Sequence, residues 1–190
     1  SSAASDGYKR QALLDPGDEV ILPAPYWVSY AEIVKMAGGV PVIANSSIEQ
    51  DFKSTPEEIE ALITDRTKFI LYSSPCNPSG SVFSFDELQA LALMLQAHEH
   101  VLVVSDEIYE HINFTDRHYT IASMEGMKDR TVIINGMSKG YAMTGWRLGY
   151  IAGPDWVADA CTKIQGQVTS GASSFGQKAA AVALESDHTP

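Results

Sequence analysis

Short apolar runs alternate with amphipathic segments along most of the chain. Their lengths and their β-branched residues predict strands over 19–22, 40–44, 68–72, 101–105, 131–135 and 149–152. The last three runs are typical of strands buried in a parallel sheet. Between the strands, apolar residues at helical spacing predict helices over 27–37, 56–63 and 85–98, with two more from about Pro154 and Ser173. The alternation favours a three-layer α/β/α domain with a mostly parallel sheet.

Two helix starts carry a clear capping signal. Thr55 is followed by Pro56 and Glu58, and Ser84 is followed by Glu87, so each start has the hydroxyl and the carboxylate of a capping box. The loop over 74–80 contains two prolines and a glycine, which end the preceding strand. These signals fix the order of the elements along the chain.

Length and charge narrow the classes of function. The 190 residues predict one domain over 1–190, and 13 Lys and Arg against 24 Asp and Glu give a net charge of −11, which disfavours unaided binding to nucleic acid or to an anionic membrane. The apolar run at 101–104 is far too short to cross a bilayer, and the first eight residues lack the features of a secretory signal. Cys76 and Cys161 are widely separated, so free thiols and a cytoplasmic location are expected.

Polar residues with chemical potential follow four of the predicted strands. They are Tyr26 and Trp27, then Asn77, then Asp106 with Tyr109, and finally Ser138 with Lys139. Ligands of open α/β sheets bind beyond the carboxyl ends of the strands, which is where these residues would lie. Any one of them alone is better explained as a helix cap, a loop anchor or a core aromatic residue. Four such positions together favour a binding site.

Three of the side chains offer complementary chemistry. Asp106 follows an apolar run directly, and a buried carboxylate there would suit a protonated ring nitrogen. Lys139 would be partly desolvated at the mouth of the sheet, which would free its amine to form a Schiff base. Arg147 presents a planar fork suited to phosphate, and its position between Trp146 and the strand at 149 predicts burial. Together these groups match the three handles of pyridoxal phosphate.

Four separated motifs resemble the large domain of class I aminotransferases, in particular the bacterial aspartate aminotransferase subgroup. They are Pro25-Tyr26-Trp27-Val28-Ser29-Tyr30, Asn77-Pro78-Ser79-Gly80, Ser105-Asp106-Glu107-Ile108-Tyr109, and the segment from Ser138-Lys139 to Gly145-Trp146-Arg147-Leu148-Gly149-Tyr150. Their order and spacing agree with that family from about residue 13 to residue 185. Coincidence over four motifs in this order is a poor explanation.

The resemblance implies a role for each residue. Lys139 would hold the cofactor as an internal aldimine and then move the proton between the substrate α-carbon and the cofactor C4′. Asp106 would pair with the pyridine nitrogen, and Tyr109 and Asn77 would bind the 3′-oxygen, with Asn77 also near the substrate carboxylate. Trp27 would stack on the ring beside the substrate. Ser138 and Arg147 would bind the phosphate.

The implied reaction is amino transfer from an amino acid, with aspartate favoured, to a 2-oxo acid such as 2-oxoglutarate. Aminotransferases of aromatic amino acids, kynurenine or alanine share these motifs and stay open as alternatives. The resemblance also implies a homodimer that acts on small molecules.

The chain departs from the family pattern at three places. Residues 1–4 do not show the small, glycine-containing phosphate-binding turn that the family has before the helix that leads into the turn at 15–18. The family's N-terminal segment and its C-terminal small domain, which supplies the arginine for the substrate α-carboxylate, are expected to be missing from this chain. A truncated domain that folds and binds cofactor without turnover is therefore the alternative of another class.

Other catalytic signatures are absent from the sequence. There is no Gly-x-Ser-x-Gly elbow and no Gly-Lys-Thr phosphate loop. The histidines at 98, 100, 111 and 118 are spaced too loosely to predict a metal site, and surface positions are expected for them. No metal ion is expected.

Overall fold

The computed structural model describes residues 13–115 and 117–186. Within these residues, six strands form one sheet in the order β2-β1-β3-β4-β5-β6. The strands are β1 (Glu19–Pro23), β2 (Val40–Ala44), β3 (Thr67–Ser73), β4 (Leu102–Asp106), β5 (Thr131–Gly136) and β6 (Gly149–Ala152). All six predicted strands are present, with ends shifted by one residue at most.

Five α-helices connect or flank these strands in the described part of the chain. They are α1 (Ser29–Met36), α2 (Pro56–Glu60), α3 (Phe85–Leu95), α4 (Asp155–Val168) and α5 (Ser174–Glu185). Both predicted capping boxes are confirmed, since Thr55 accepts from the Glu58 amide and Ser84 from the Glu87 amide. The two capped helices begin where they were predicted to begin, but they end at Glu60 and Leu95, because the last predicted residues of each form irregular turns. The helix predicted over 27–37 is shorter at both ends.

The sheet has a hydrophobic core on each face, which makes the domain three-layered. Alternate strand residues supply the two cores because successive side chains point to opposite faces. One core joins α2 and α3 to Ile21, Ile70 and Val103. The other joins α1 and α4 to Val20, Leu22 and Val104. The predicted three-layer, mostly parallel α/β/α architecture is confirmed.

The direction of the strand order reverses between β1 and β3. The chain moves from β1 outward to β2, then returns past β1 to β3 and continues through β4 to β5. The crossover from β1 to β2 and the crossover from β2 to β3 run in opposite directions along the sheet. When both crossovers have the same handedness, their helices lie on opposite faces, and α1 and α2 do so here. Such a reversal opens a crevice at the carboxyl ends of the two strands.

Strand β6 corrects one expectation from the sequence. It was predicted as a buried parallel strand, but it pairs antiparallel with β5, in a register that joins Ile133 to Ala152 and Gly136 to Gly149. Most of its residues are exposed. Only twelve residues separate β5 from β6, and they contain one short 3₁₀ turn, Thr144–Trp146. A parallel return usually runs through an α-helix, and this connection contains none.

Two smaller expectations concern membrane-spanning helices and disulfide bonds. In the part of the chain that the structure describes, no helix is both long and apolar enough to cross a bilayer. Neither Cys76 nor Cys161 forms a disulfide, as predicted.

A buried carboxylate at the amino end of β1 makes stability depend on pH. A hydrogen bond from Thr64 Oγ1, at 2.6 Å, and the Arg66 guanidinium hold the pKa of Glu19 below its usual range, against the opposing effect of burial. A lowered folded-state pKa adds stability above the unfolded value of about 4.5, and that stability is lost as the pH falls.

We therefore expect Glu19→Gln to lower the free energy of unfolding by roughly 1 kcal/mol above pH 5. The difference from the wild type should shrink as the pH falls below about 4, because protonation then removes the charge from the wild-type carboxyl group as well. Urea titrations at several pH values measure it. Glu125→Gln, at an exposed position, is the control. A difference that is the same at pH 7 and pH 3.5 would contradict the prediction.

Candidate active site

The strand register brings the predicted site residues to one edge of the sheet. Ser73 at the end of β3 lies beside Asp106 at the end of β4, and Asp106 lies beside Ile134 of β5. The backbone continues this pairing past the strand ends, since Ser74 N–H donates to Asp106 O at 3.1 Å and Glu107 N–H donates to Ile134 O at 2.8 Å. The loops that carry Asn77, Tyr109 and Lys139 therefore leave neighbouring strands at the same edge.

Asp106 is a buried carboxylate held by two donors. Its side chain is only 7% exposed, at the last residue of β4. The Tyr30 hydroxyl donates to Asp106 Oδ2 at 2.6 Å, and the Ile108 amide donates to Oδ1 at 3.2 Å. The burial predicted for Asp106 at the end of its strand is confirmed.

Lys139 and Tyr109 meet above the ends of β4 and β5. Lys139 Nζ lies 5.5 Å from the centroid of the Tyr109 ring. The loop after β5 is closed by hydrogen bonds from the Met137 amide to Leu148 O and from the Ala142 amide to Lys139 O. The expected desolvation of the amine is wrong for this structure, because the Lys139 side chain is exposed. The reason is that the loop carries it outward past the last buried residue, Ser138.

Ser138 is a buried residue at this edge, directly before Lys139. The residue is 5% exposed, and its hydroxyl has no hydrogen-bond partner among the described residues. A buried hydroxyl without a partner costs free energy, so such groups generally have a function or an external partner. A phosphate oxygen would satisfy this donor.

Asn77 and Trp27 line the two sides of the point where the strand order reverses. Asn77 follows β3, and its amide N–H lies 3.4 Å from the Ser73 hydroxyl that accepts its hydrogen bond. Trp27 follows β1 and is half-buried, with its ring perpendicular to that of Tyr30 at a centroid distance of 5.6 Å. Trp27 precedes α1 rather than lying inside it, so its ring belongs to the loop at the crevice.

Arg147 is placed differently from the expectation. It was predicted to be buried, but it is exposed, and its Nη1 donates to the carbonyl oxygen of Thr144. The residue ends the 3₁₀ turn Thr144–Trp146 in a left-handed conformation, with φ of 58°. The buried residue of this segment is Leu148 instead. The guanidinium therefore lies at the surface of the loop that also carries Lys139.

Comparison of the sequence with known protein families shows which family this chain belongs to. The sequence pattern of the family "Aminotransferase class I and II" matches residues 1–189, nearly the whole chain. The chain belongs to this family. The resemblance inferred from the four motifs is thus confirmed.

Individual relatives agree with the family. A bifunctional aspartate aminotransferase and glutamate/aspartate-prephenate aminotransferase of Petunia hybrida is 51% identical over 174 residues, covering 91% of this chain and 36% of that protein. The solved aspartate aminotransferase of Rhizobium meliloti matches with a TM-score of 0.94 at 44% identity, covering 97% of this chain and 47% of the other. An aromatic aminotransferase of Pyrococcus horikoshii matches with the same TM-score at 40% identity, covering 98% and 50%. The chain therefore spans half or less of the length of these relatives.

The expected departure from the phosphate-binding turn concerns residues 1–4, which lie outside the described residues.

Two residues of the site were missed by the sequence analysis. Tyr30 contacts Asp106, and its signal was its spacing, since it follows Trp27 by three residues and so lies on the inner side of α1. Glu107 is the other, and it is 3% exposed. The signal for Glu107 was its place directly after a buried strand, but the neighbouring Asp106 explained the motif by itself.

Glu107 anchors the segment over 117–120 against β4. Its Oε1 accepts from Ser105 Oγ at 2.9 Å and from Thr120 Oγ1 at 2.6 Å, and His118 Nε2 lies 3.0 Å from its Oε2. The surface position expected for His118 is therefore wrong, because this histidine is partly buried against a carboxylate. Potential ligand atoms of Glu107, Glu110 and His118 lie within 4.8 Å of one another. Glu107 is accounted for in this group by its hydrogen bonds to Ser105 and Thr120 and its contact with His118, without a metal ion.

Proposed function

We propose that this chain is the cofactor-binding large domain of a pyridoxal-phosphate-dependent aminotransferase, with residues 1–190 forming one domain. The observation that carries the proposal is the edge at which a buried carboxylate, an amine beside a phenol and an unpartnered buried hydroxyl come together. These groups are Asp106, Lys139 with Tyr109, and Ser138. Membership of the aminotransferase family supports the same conclusion.

The residues present fit pyridoxal phosphate at each of its polar groups. Asp106 would hold the protonated ring nitrogen, because a buried carboxylate at this edge suits a cationic partner. The Ser138 hydroxyl and the Arg147 guanidinium would bind the phosphate, and Tyr109 and Asn77 would bind the 3′-oxygen. Trp27 would cover the ring face. When bound, the cofactor supplies an aldehyde that condenses with amines and a ring that accepts electrons.

The chain's own groups would then handle the proton. Lys139 Nζ would take the proton from the α-carbon of the amino-acid substrate, which requires an unprotonated amine within reach of that carbon. Its exposed position on a loop gives the side chain room to swing between the cofactor and the substrate. Asn77, on the neighbouring loop, would orient the substrate carboxylate.

The substrates proposed are aspartate as the amino donor and a 2-oxo acid such as 2-oxoglutarate as the acceptor. The names of the relatives support aspartate, since those of Petunia hybrida and Rhizobium meliloti are aspartate aminotransferases. The Pyrococcus horikoshii structure, an aromatic aminotransferase, favours an aromatic donor as the second candidate. Steady-state rates of a full-length protein with aspartate and with phenylalanine separate the two. A higher kcat/KM with phenylalanine would overturn the choice of aspartate.

The proposal includes a homodimer in the cytoplasm. Large apolar side chains on α4 and α5 are exposed in the single chain, among them Val168 at 58%, Phe175 at 82% and Val182 at 64%. Exposed apolar residues that form a continuous patch are typical of a surface that another part of the protein or a partner covers. Sedimentation of the full-length protein checks the dimer, and a single species of monomer mass would contradict it.

The cofactor proposal is tested by trapping. A full-length protein is incubated with pyridoxal phosphate, reduced with borohydride and digested, and the modified peptide is located by mass. One phosphopyridoxyl group on Lys139 is expected. Labelling scattered over Lys35, Lys53 and Lys163 with no preferred site would overturn the proposal. Pyridoxal without its phosphate is the matched control, and we expect it to label Lys139 far less because it cannot use Ser138 and Arg147.

A further inference from the structure

Tyr30 contacts two of the groups assigned to the cofactor site without reaching the crevice itself. Its side chain is 1% exposed and lies in the core between α1 and the sheet. Its hydroxyl donates to Asp106 Oδ2 at 2.6 Å, and the planes of its ring and the Trp27 ring are nearly perpendicular, at 88°. One buried residue thus connects the carboxylate proposed for the ring nitrogen with the aromatic residue proposed for the ring face.

The contact restrains the carboxylate of Asp106. One oxygen accepts from the Tyr30 hydroxyl and the other from the Ile108 amide, so rotation of the carboxylate would break both bonds. Hydrogen bonds from neutral donors also stabilise the charged form of a carboxyl group. A proton shared between this carboxylate and a ring nitrogen would therefore stay on the nitrogen.

Packing alone does not account for the hydroxyl. The Tyr30 ring fills space in a core cluster made of Leu22, Val34 and Val104 among others, and a phenylalanine would fill the same space. The hydroxyl adds a polar group that must find a partner when it is buried. Asp106 is such a partner, at the end of a strand 76 residues away in the sequence.

We propose that Tyr30 is a positioning residue of the cofactor site, which acts through the carboxylate of Asp106. The inference rests on the proposed function and extends it to a residue that is not itself assigned to contact the cofactor. Tyr30 would keep Asp106 ionised and fixed in orientation, and it would steady the Trp27 ring.

The test compares Tyr30→Phe with the wild type in a full-length protein. We expect the dissociation constant of pyridoxal phosphate, measured by equilibrium dialysis, to rise three- to tenfold. We expect kcat to fall five- to fiftyfold while KM for the amino donor stays within twofold. The pH at which the visible absorption of the bound cofactor changes should also move. Tyr119→Phe is the control and should change none of these. It removes the hydroxyl of a partly buried tyrosine whose ring packs against Phe85 on the other side of the sheet.

A double-mutant cycle with Asp106→Asn separates positioning from general damage. If Tyr30 acts through Asp106, Tyr30→Phe should change cofactor affinity less than twofold in the Asp106→Asn background. An equal effect in both backgrounds would overturn the inference, and so would unchanged affinity and spectrum in Tyr30→Phe alone. Urea midpoints of the cofactor-free proteins show whether the fold is retained. Failure of the wild type to bind the cofactor at Lys139 is a different result, which overturns the proposed function and this inference together.

Discussion

Lys139→Arg is expected to abolish turnover in a full-length protein, with a loss of about 10⁴-fold or more in kcat. Arginine keeps the positive charge and most of the length of the side chain, but its guanidinium stays protonated and does not condense with an aldehyde. The variant should also lose the borohydride-stable label. Steady-state kinetics with aspartate and 2-oxoglutarate measure the first effect, and peptide mass measures the second.

The control for this variant is Lys163→Arg, at an exposed position on α4. It should retain wild-type rates, because Lys163 lies outside the proposed site. The free energy of unfolding of cofactor-free Lys139→Arg should match the wild type, since an exposed lysine contributes little packing. Turnover within tenfold of the wild type in Lys139→Arg would exclude Lys139 as the catalytic amine.

The strands could be predicted from the sequence because their information is local. Runs such as 101–104 are continuous and apolar, which is typical of a strand buried on both faces of a sheet. The direction of β6 is different, because its four residues are mostly exposed and pair only with β5. Direction depends on the path of the connecting loop, which the pattern of those four residues does not contain.

The site residues that follow strands were found for a related reason. Asp106 is the last residue of β4 and Ser138 lies two residues after β5, so the end of each apolar run locates them. Arg147 is exposed because it adopts a left-handed backbone conformation at the end of a 3₁₀ turn. The residue types in this segment do not predict that conformation. The contact between Tyr30 and Asp106 joins residues 76 positions apart, and it exists only once α1 has packed on the sheet. Local pattern therefore locates the groups that touch a ligand better than the groups that hold them.

The holding groups lie on both faces of the sheet around the end of β4. Period-two alternation turns Asp106 toward α1 and Tyr30, and it turns Ser105 toward the opposite face. Ser105 and Thr120 there bind Glu107, which fixes the chain just after Asp106. The carboxylate proposed for the cofactor is thus supported from two directions by residues with no chemical role of their own. A change of Asp106 itself should then act on the cofactor more than on the fold.

Asp106→Asn tests this separation, and it is expected to lower kcat roughly 10³-fold in a full-length protein. The amide has the same size as the carboxylate, but it has no charge to stabilise a protonated ring nitrogen. It also turns one acceptor into a donor, so the cofactor-free protein should lose only about 1 kcal/mol in its free energy of unfolding.

The dissociation constant of pyridoxal phosphate should rise at least tenfold in Asp106→Asn, which removes about 1.4 kcal/mol of the stabilisation that saturating cofactor gives. Thermal unfolding with and without cofactor measures both effects, and Asp129→Asn, at an exposed position, is the matched control. If cofactor raises the melting temperature of Asp106→Asn as much as that of the wild type, the carboxylate does not hold the ring nitrogen.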